Sequence, residues 1–160
     1  MLRSAVPADV PVILELVKEL ARYEREPEAV RVTEPALLEA IFGPEPVASV
    51  ELAVHEGSEG PETAGMALWY RSYSTWTGPG IYLEDLFVRE QYRKLGYGKA
   101  LLRRLAQIAV ERGYARFEWS VLDWNQPSID FYLAMGARAM DDWTRYRLEG
   151  AALRALGGAA

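Results

Sequence analysis

At 160 residues, half of them apolar, the chain suits one compact domain with its own core. The absence of cysteine excludes disulfides, thiolate metal sites and a cysteine nucleophile, and one histidine, His55, excludes a histidine metal cluster and argues against a Ser-His-Asp triad. Eighteen Lys and Arg against 23 Asp and Glu give a formal net charge of -5, which disfavours nucleic acid as the partner and suits a small cationic one.

The first residues, MLRSAVPADV, hold no apolar stretch of signal-peptide length, and no run of about 18 apolar residues could span a bilayer. A soluble, cytoplasmic protein with no membrane partner is expected. Asp9, placed to cap a first turn that contains Pro11, precedes Ile13, Leu16, Val17 and Leu20 at helical spacing, which predicts a helix over 9–22. Thr33 and Pro35 open a second, shorter helix with Leu37, Leu38 and Ile41 on one face, ended by Gly43-Pro44. From Ser49 the period falls to two, with Val50, Leu52 and Val54 alternating around Glu51, Ala53 and His55, so a strand and a hairpin turn at 57–61 follow. His55 inside that strand reads as structural. Gly65 to Tyr73 and Ile81 to Val88 are rich in β-formers around a Thr77-Gly78-Pro79-Gly80 turn, which makes a meander of three strands. Past Gly98, Leu101, Leu105, Ile108 and Ala109 return to helical spacing up to Arg112-Gly113. Phe117, Trp119 and Val121 alternate as a strand, Pro127 to Met135 reads as a helix stopped by Gly136, and Trp143 to Leu148 reads as a final strand. The order is that of an α/β fold with a mixed sheet.

Between a strand and a helix lies Arg93-Lys94-Leu95-Gly96-Tyr97-Gly98. Two glycines let the backbone turn tightly and approach a ligand closely, and free amides at a helix start suit an anion such as pyrophosphate. The P-loop and Rossmann patterns both fail here, because Gly98 is followed by Lys99, Ala100 and Leu101. Taken alone, two glycines here are better explained by an ordinary strand-to-helix turn.

The stretch R-x-x-G-x-G after LEDLFV, followed by WNQPSIDFY and then Gly136-Ala137, resembles the acetyl-CoA signature of the GNAT superfamily of N-acetyltransferases. With KELARYE and LLEAIFG, the resemblance is to the diamine (spermidine/spermine) and thialysine acetyltransferase group and covers about residues 3–149. It implies a GNAT acyltransferase fold, a mostly antiparallel sheet with splayed strands flanked by helices, over a single domain at 1–160, with 150–160 as a flexible tail. It implies an acetyl-CoA-dependent N-acetyltransferase acting on a primary amine of a small, cationic substrate by direct transfer in a ternary complex, without a metal, and a homodimer. Protein, peptide or antibiotic amines, and non-catalytic acyl-CoA binding, remain the alternatives.

Carried over position by position, the resemblance assigns the CoA pyrophosphate to the backbone of Lys94, Leu95, Gly96, Tyr97, Gly98 and Lys99, with Arg93 adding charge. Leu86, Phe87 and Val88 would lend backbone groups to the pantetheine arm and thioester, although Phe87 also suits the core. Asn125, Pro127 and Ser128 match the second CoA segment, and Asn125 followed by Pro127 is equally a helix start. Tyr132 matches the tyrosine that protonates the departing thiolate. Glu84 matches the residue that takes or holds the proton of the amine, and Asp85, expected on the opposite sheet face, would bind substrate or backbone. Tyr23 and Glu24 match the amine-binding side. Where polyamine-acetylating relatives carry further acidic residues, this chain reads Asp141-Asp142-Trp143-Thr144-Arg145-Tyr146-Arg147, so two arginines stand among the candidates for a polyamine partner.

Overall fold

The computed structural model describes residues 1–158. In chain order the elements are β1 (Leu2–Ser4), α1 (Val10–Tyr23), α2 (Glu34–Phe42), β2 (Ser49–Gly57), β3 (Gly60–Ser74), β4 (Gly78–Val88), α3 (Tyr97–Glu111), β5 (Arg116–Trp119), α4 (Gln126–Ala134) and α5 (Gly150–Leu156). The chain divides into two compact units, Met1–Ser120 and Val121–Ala160. The first holds the whole five-stranded sheet, ordered β1-β2-β3-β4-β5, antiparallel except for the parallel β4–β5 pair, together with α1, α2 and α3. The second holds α4 and α5.

Alternation in β2 places Val50 and Leu52 on one face, where they join Met66, Phe87 and the apolar stripe of α1 (Ile13, Leu16, Leu20) with Leu37 and Ile41 of α2 in a single core. The opposite face carries Ala53, Ala67, Trp69, Ile81 and Leu83, all buried, with α3 packed over β2, β3 and β4. Glu51 is buried on that second face. Its carboxylate accepts from the Ser4 hydroxyl at 2.8 Å and meets Arg104 at 3.5 Å, the pairing a buried charge requires.

Two β-bulges interrupt the regular register. On β3, Ala53 pairs with Gly65 and Val54 with Thr63, so Ala64 is the extra residue, and its carbonyl accepts from the Arg89 amide at 2.9 Å. On β4, Leu68 pairs with Asp85 and Trp69 with Leu83, so Glu84 is the extra residue. The second bulge shifts the alternation: Ile81 and Leu83 lie on the α3 face, whereas Asp85 and Phe87 lie on the α1 face. The expectation that Glu84 and Asp85 simply alternate across a regular strand is therefore corrected. Gly65 is required by the close approach here, since a Cβ on it would lie 2.3 Å from the Phe87 carbonyl oxygen.

Thr33 caps α2 as expected, its hydroxyl accepting from the Ala36 amide at 3.4 Å. Asp9 does not cap α1 through its side chain. It accepts instead from the Val6 amide at 2.8 Å and from both terminal nitrogens of Arg3 at 2.6 and 2.7 Å, tying β1 to the start of α1. The Arg3 hydrogen bond holds the Asp9 carboxyl below its ordinary range despite the opposing effect of burial. A group depressed in the folded state stabilises above its unfolded value, and that contribution is lost as pH falls through the folded one. Asp9→Asn is accordingly expected to cost about 1–3 kcal/mol at pH 7, with the gap from the parent closing below about pH 4; denaturant titrations at pH 7 and 3 check both points.

The strand expected over 143–148 is not formed among the described residues, where the segment runs without ladder pairing. Trp143 and Tyr146 are 71% and 91% exposed, so the segment has no buried face to fix a register. Within the segment expected as a tail, Gly150–Leu156 is helical.

Candidate active site

The turn at 93–98 is shaped by two left-handed residues, Lys94 (φ 65°) and Gly96 (φ 86°). Gly96 is the N-cap of α3, and the first bond of that helix runs from the Ala100 amide to the Gly96 carbonyl at 2.9 Å. The amides of Tyr97, Gly98 and Lys99 therefore precede the ladder, at the positive end of a 15-residue helix. A backbone with alternating handedness leading into such a helix start makes a concave anion site. These residues fit a pyrophosphate on geometry as well as on sequence.

Immediately before the turn, β4 loses one neighbour. Its pairing with β5 runs from Gly80–Arg116 to Leu83–Trp119 and stops, while pairing with β3 continues through Asp85, Leu86, Phe87 and Val88. From Glu84 onward one edge of β4 is thus unladdered, because β5 ends at Trp119. That edge offers backbone donors and acceptors to an extended ligand. The Phe87 side chain is 6% exposed and belongs to the core, so a binding role for this residue is confined to its backbone.

Glu84 is exposed at the bulge and Asp85 is partly buried beside it. Burial, then the charges of Glu84 and Glu24, push the Asp85 carboxyl up to about 6. Burial also raises Glu24, which caps the C-terminal end of α1. Asp85 thus lies within reach of the negative charges of Glu84 on its own strand and Glu24 at the end of α1, a setting suited to an alkylammonium. Register adds a wall to this face: Tyr70 pairs with Tyr82, their rings stacked at 5.2 Å, on the same sheet face as Asp85. Tyr82 is fixed further by a 2.7 Å hydrogen bond between its hydroxyl and that of Ser120.

Arg93 spans the two halves of the site. Its guanidinium lies 4.7 Å from the centre of the Tyr23 ring and 6.0 Å from that of Phe87, and its Nε donates to the Val88 carbonyl at 3.2 Å. A cavity of about 560 Å³ opens here, lined by Glu19, Arg22, Tyr23, Phe87, Glu90, Gln91 and Arg93. Tyr23, Glu24, Glu84, Asp85 and the turn thus all belong to the first unit.

Asn125, Pro127, Ser128 and Tyr132 belong to the second. Asn125 is the N-cap of α4 and is buried, yet its side chain makes no capping bond; its carbonyl accepts from the Ser128 and Ile129 amides. Pro127 occupies the first turn, where its missing N–H costs nothing. Tyr132 follows on α4, its ring 5.5 Å from that of Phe131, and its carbonyl accepts from the Met135 and Ala137 amides at the helix end.

Among the described residues no three His, Asp or Glu side chains are grouped to hold a metal ion, and no helix is long and apolar enough to cross a membrane. The residues that sequence reasoning did not single out are Tyr70 and Tyr82, whose stacking is a property of the β3–β4 register.

The profile of the acetyltransferase (GNAT) family matches residues 13–137. A thialysine N-epsilon-acetyltransferase of Bos taurus is 39% identical over 166 residues, covering 99% of this chain and 97% of the relative. An L-ornithine N5-acetyltransferase of Arabidopsis thaliana is 32% identical, covering 97% of this chain and 86% of the relative. Among solved structures, an integron cassette protein from the mobile metagenome of V. cholerae superposes with a TM-score of 0.79 at 24% identity, covering 98% of this chain and 96% of the other.

Proposed function

The chain belongs to the acetyltransferase (GNAT) family and is an N-acetyltransferase, and from that premise we propose that it moves the acetyl group of acetyl-CoA directly to the side-chain amine of a small, cationic amino acid or diamine. The observation that carries the acceptor is Asp85, partly buried within reach of the charges of Glu84 and Glu24, on a face walled by Tyr70 and Tyr82. A substrate with a second ammonium beyond the reacting one gains from that spacing of anions beside aromatic faces. The thialysine and L-ornithine named for the two relatives are substrates of this kind.

On the donor side, the amides at the start of α3 and the charge of Arg93 would hold the pyrophosphate of acetyl-CoA, and the unladdered edge of β4 at Leu86, Phe87 and Val88 its pantetheine arm. A β4 amide close to the thioester oxygen would stabilise the negative charge that builds there during attack. When bound, acetyl-CoA supplies the activated acyl group, and the rest of the chemistry is proton movement. An alkylammonium with a pKa near about 10.4 must lose a proton before it can attack. We assign that proton to the Glu84–Asp85 pair acting as one acceptor: Asp85 is poised near neutrality, and Glu84, exposed beside it, can relay the proton through water. The phenol of Tyr132 would give its proton to the departing CoA thiolate; this role rests on the match of WNQPSIDFY to the family segment. Asn125 and Ser128 of the same segment would contact CoA.

The test is release of CoA thiol from acetyl-CoA against a panel of thialysine, ornithine, alkyl diamines and lysine peptides. Turnover with the free diamino compounds and none with peptides supports this acceptor; the reverse preference overturns it.

A further inference from the structure

We propose that the β2–β3 hairpin positions the pyrophosphate-binding turn, with His55 and Glu62 as positioning residues that act through Tyr97 and Tyr92. The inference rests on reading the turn as the CoA phosphate site, and it concerns side chains to which that reading gives no role.

The turn is costly to hold. Lys94 is a side-chain-bearing residue in the left-handed region, a strained conformation that persists only where the surroundings enforce it. The side chain of Leu95, at the tip of the turn, is 58% exposed and supplies little packing of its own. The constraint comes from the two residues that bracket the segment, Tyr92 and Tyr97.

Both tyrosines are gripped by a single cross-strand pair. His55 of β2 and Glu62 of β3 are register partners, so their side chains leave the sheet together on the α3 face. The His55 Nδ1 lies 2.9 Å from the Tyr97 hydroxyl, a hydrogen bond in which either atom can donate. The His55 ring also packs on Tyr92 at 4.8 Å between centroids, and the Tyr92 hydroxyl donates to the Glu62 carboxylate. Tyr92 and Tyr97 meet edge to face at 6.5 Å, closing a three-ring cluster. Tyr92 is 9% exposed, so this is a packed anchor rather than a surface encounter.

Tyr97 connects the anchor to the ligand. Its amide is one of the three unladdered N–H groups at the start of α3, so the bond that fixes its ring also orients that amide and the two after it. Donors held in place before binding spare the ligand the cost of ordering them. Loss of the His55–Tyr97 bond then appears as weaker CoA binding, while the amine side and the proton relay are untouched.

CoA binding measured calorimetrically on the parent, His55→Phe, Tyr97→Phe and the double variant tests this. A single hydrogen bond is worth about 0.5–1.5 kcal/mol, so each single variant is expected to bind CoA about 2- to 12-fold more weakly, and the double variant no more weakly than either. His55→Phe is expected to raise the KM for acetyl-CoA by the same factor, with kcat and the amine KM unchanged. CoA affinity equal to the parent's in both folded single variants overturns the proposal, as does an additive double variant or an equal loss in kcat and the amine KM. If the parent itself fails to bind CoA, the phosphate reading of the turn falls first, and this inference with it.

Discussion

Tyr132→Phe is expected to lower kcat by about 10²-fold or more while leaving acetyl-CoA binding nearly unchanged. The substitution removes one oxygen and its proton and keeps the ring that packs beside Phe131. Helix α4 should therefore remain folded, with its end still closed by the Met135 and Ala137 amides on the residue-132 carbonyl, which is backbone. In the proposed role, what is lost is the acid that neutralises a departing thiolate, and a loss confined to the transition state appears in kcat and kcat/KM equally. Single-turnover kinetics at saturating acetyl-CoA is the direct readout. Turnover equal to the parent's removes Tyr132 from the chemistry and leaves proton delivery to solvent.

The second large effect concerns Asp85. Its carboxyl, raised to about 6 by burial and by Glu84 and Glu24, is neutral in the free enzyme below that pH and anionic above it. If the anion accepts the proton or holds the ammonium, kcat/KM for the amine rises with pH through about 6, falling close to tenfold per unit below it. Asp85→Asn is expected to abolish that limb and to lower kcat/KM at pH 8 by about 10²-fold. Stability should move in the opposite direction. A folded pKa above the unfolded one means that the native state binds the proton more tightly, so the contribution is favourable below the unfolded value and lost as pH rises through about 6. Asp85→Asn should thus unfold at a higher temperature than the parent at pH 8, with the gain vanishing near pH 4. A variant that is both less active and more stable identifies a residue strained for function, whereas retention of the acidic limb would move the titrating group elsewhere.

Much of this was legible in the sequence because it is local. Thr33 with Pro35, and the stripe Ile13, Leu16 and Leu20, specify helices from neighbours three and four residues away. The glycine turn was legible as an anion site for the same reason, and its place between LEDLFV and WNQPSIDFY gave it a ligand class. What was hidden depends on pairing between distant segments. The bulge at Glu84 exists only in the register of β4 against β3, and it places Asp85 on the α1 face with Tyr70 and Tyr82. The family match favours Glu84 as the group that handles the amine proton; the burial of Asp85 beside it is what brings that residue into the proposal. Strand β1 spans three residues, Leu2–Ser4, too few for a period to register. The opposite error occurred at 143–148, where Trp143 to Leu148 reads as a strand although no neighbour pairs with it among the described residues. His55 was read as structural, and its partner Tyr97 lies 42 residues further on.

Initial rates of CoA thiol release, with acetyl-CoA and a short diamino substrate varied together at pH 8, bear on the whole scheme at once. Direct transfer requires both substrates on the enzyme, so thiol release should depend on the amine and the double-reciprocal lines should intersect, with one acetylated amine formed per thiol. Parallel lines, or an acetylated protein isolated in the absence of amine, would contradict direct transfer; absence of amine-dependent thiol release across the panel would contradict acetylation of small diamino substrates altogether.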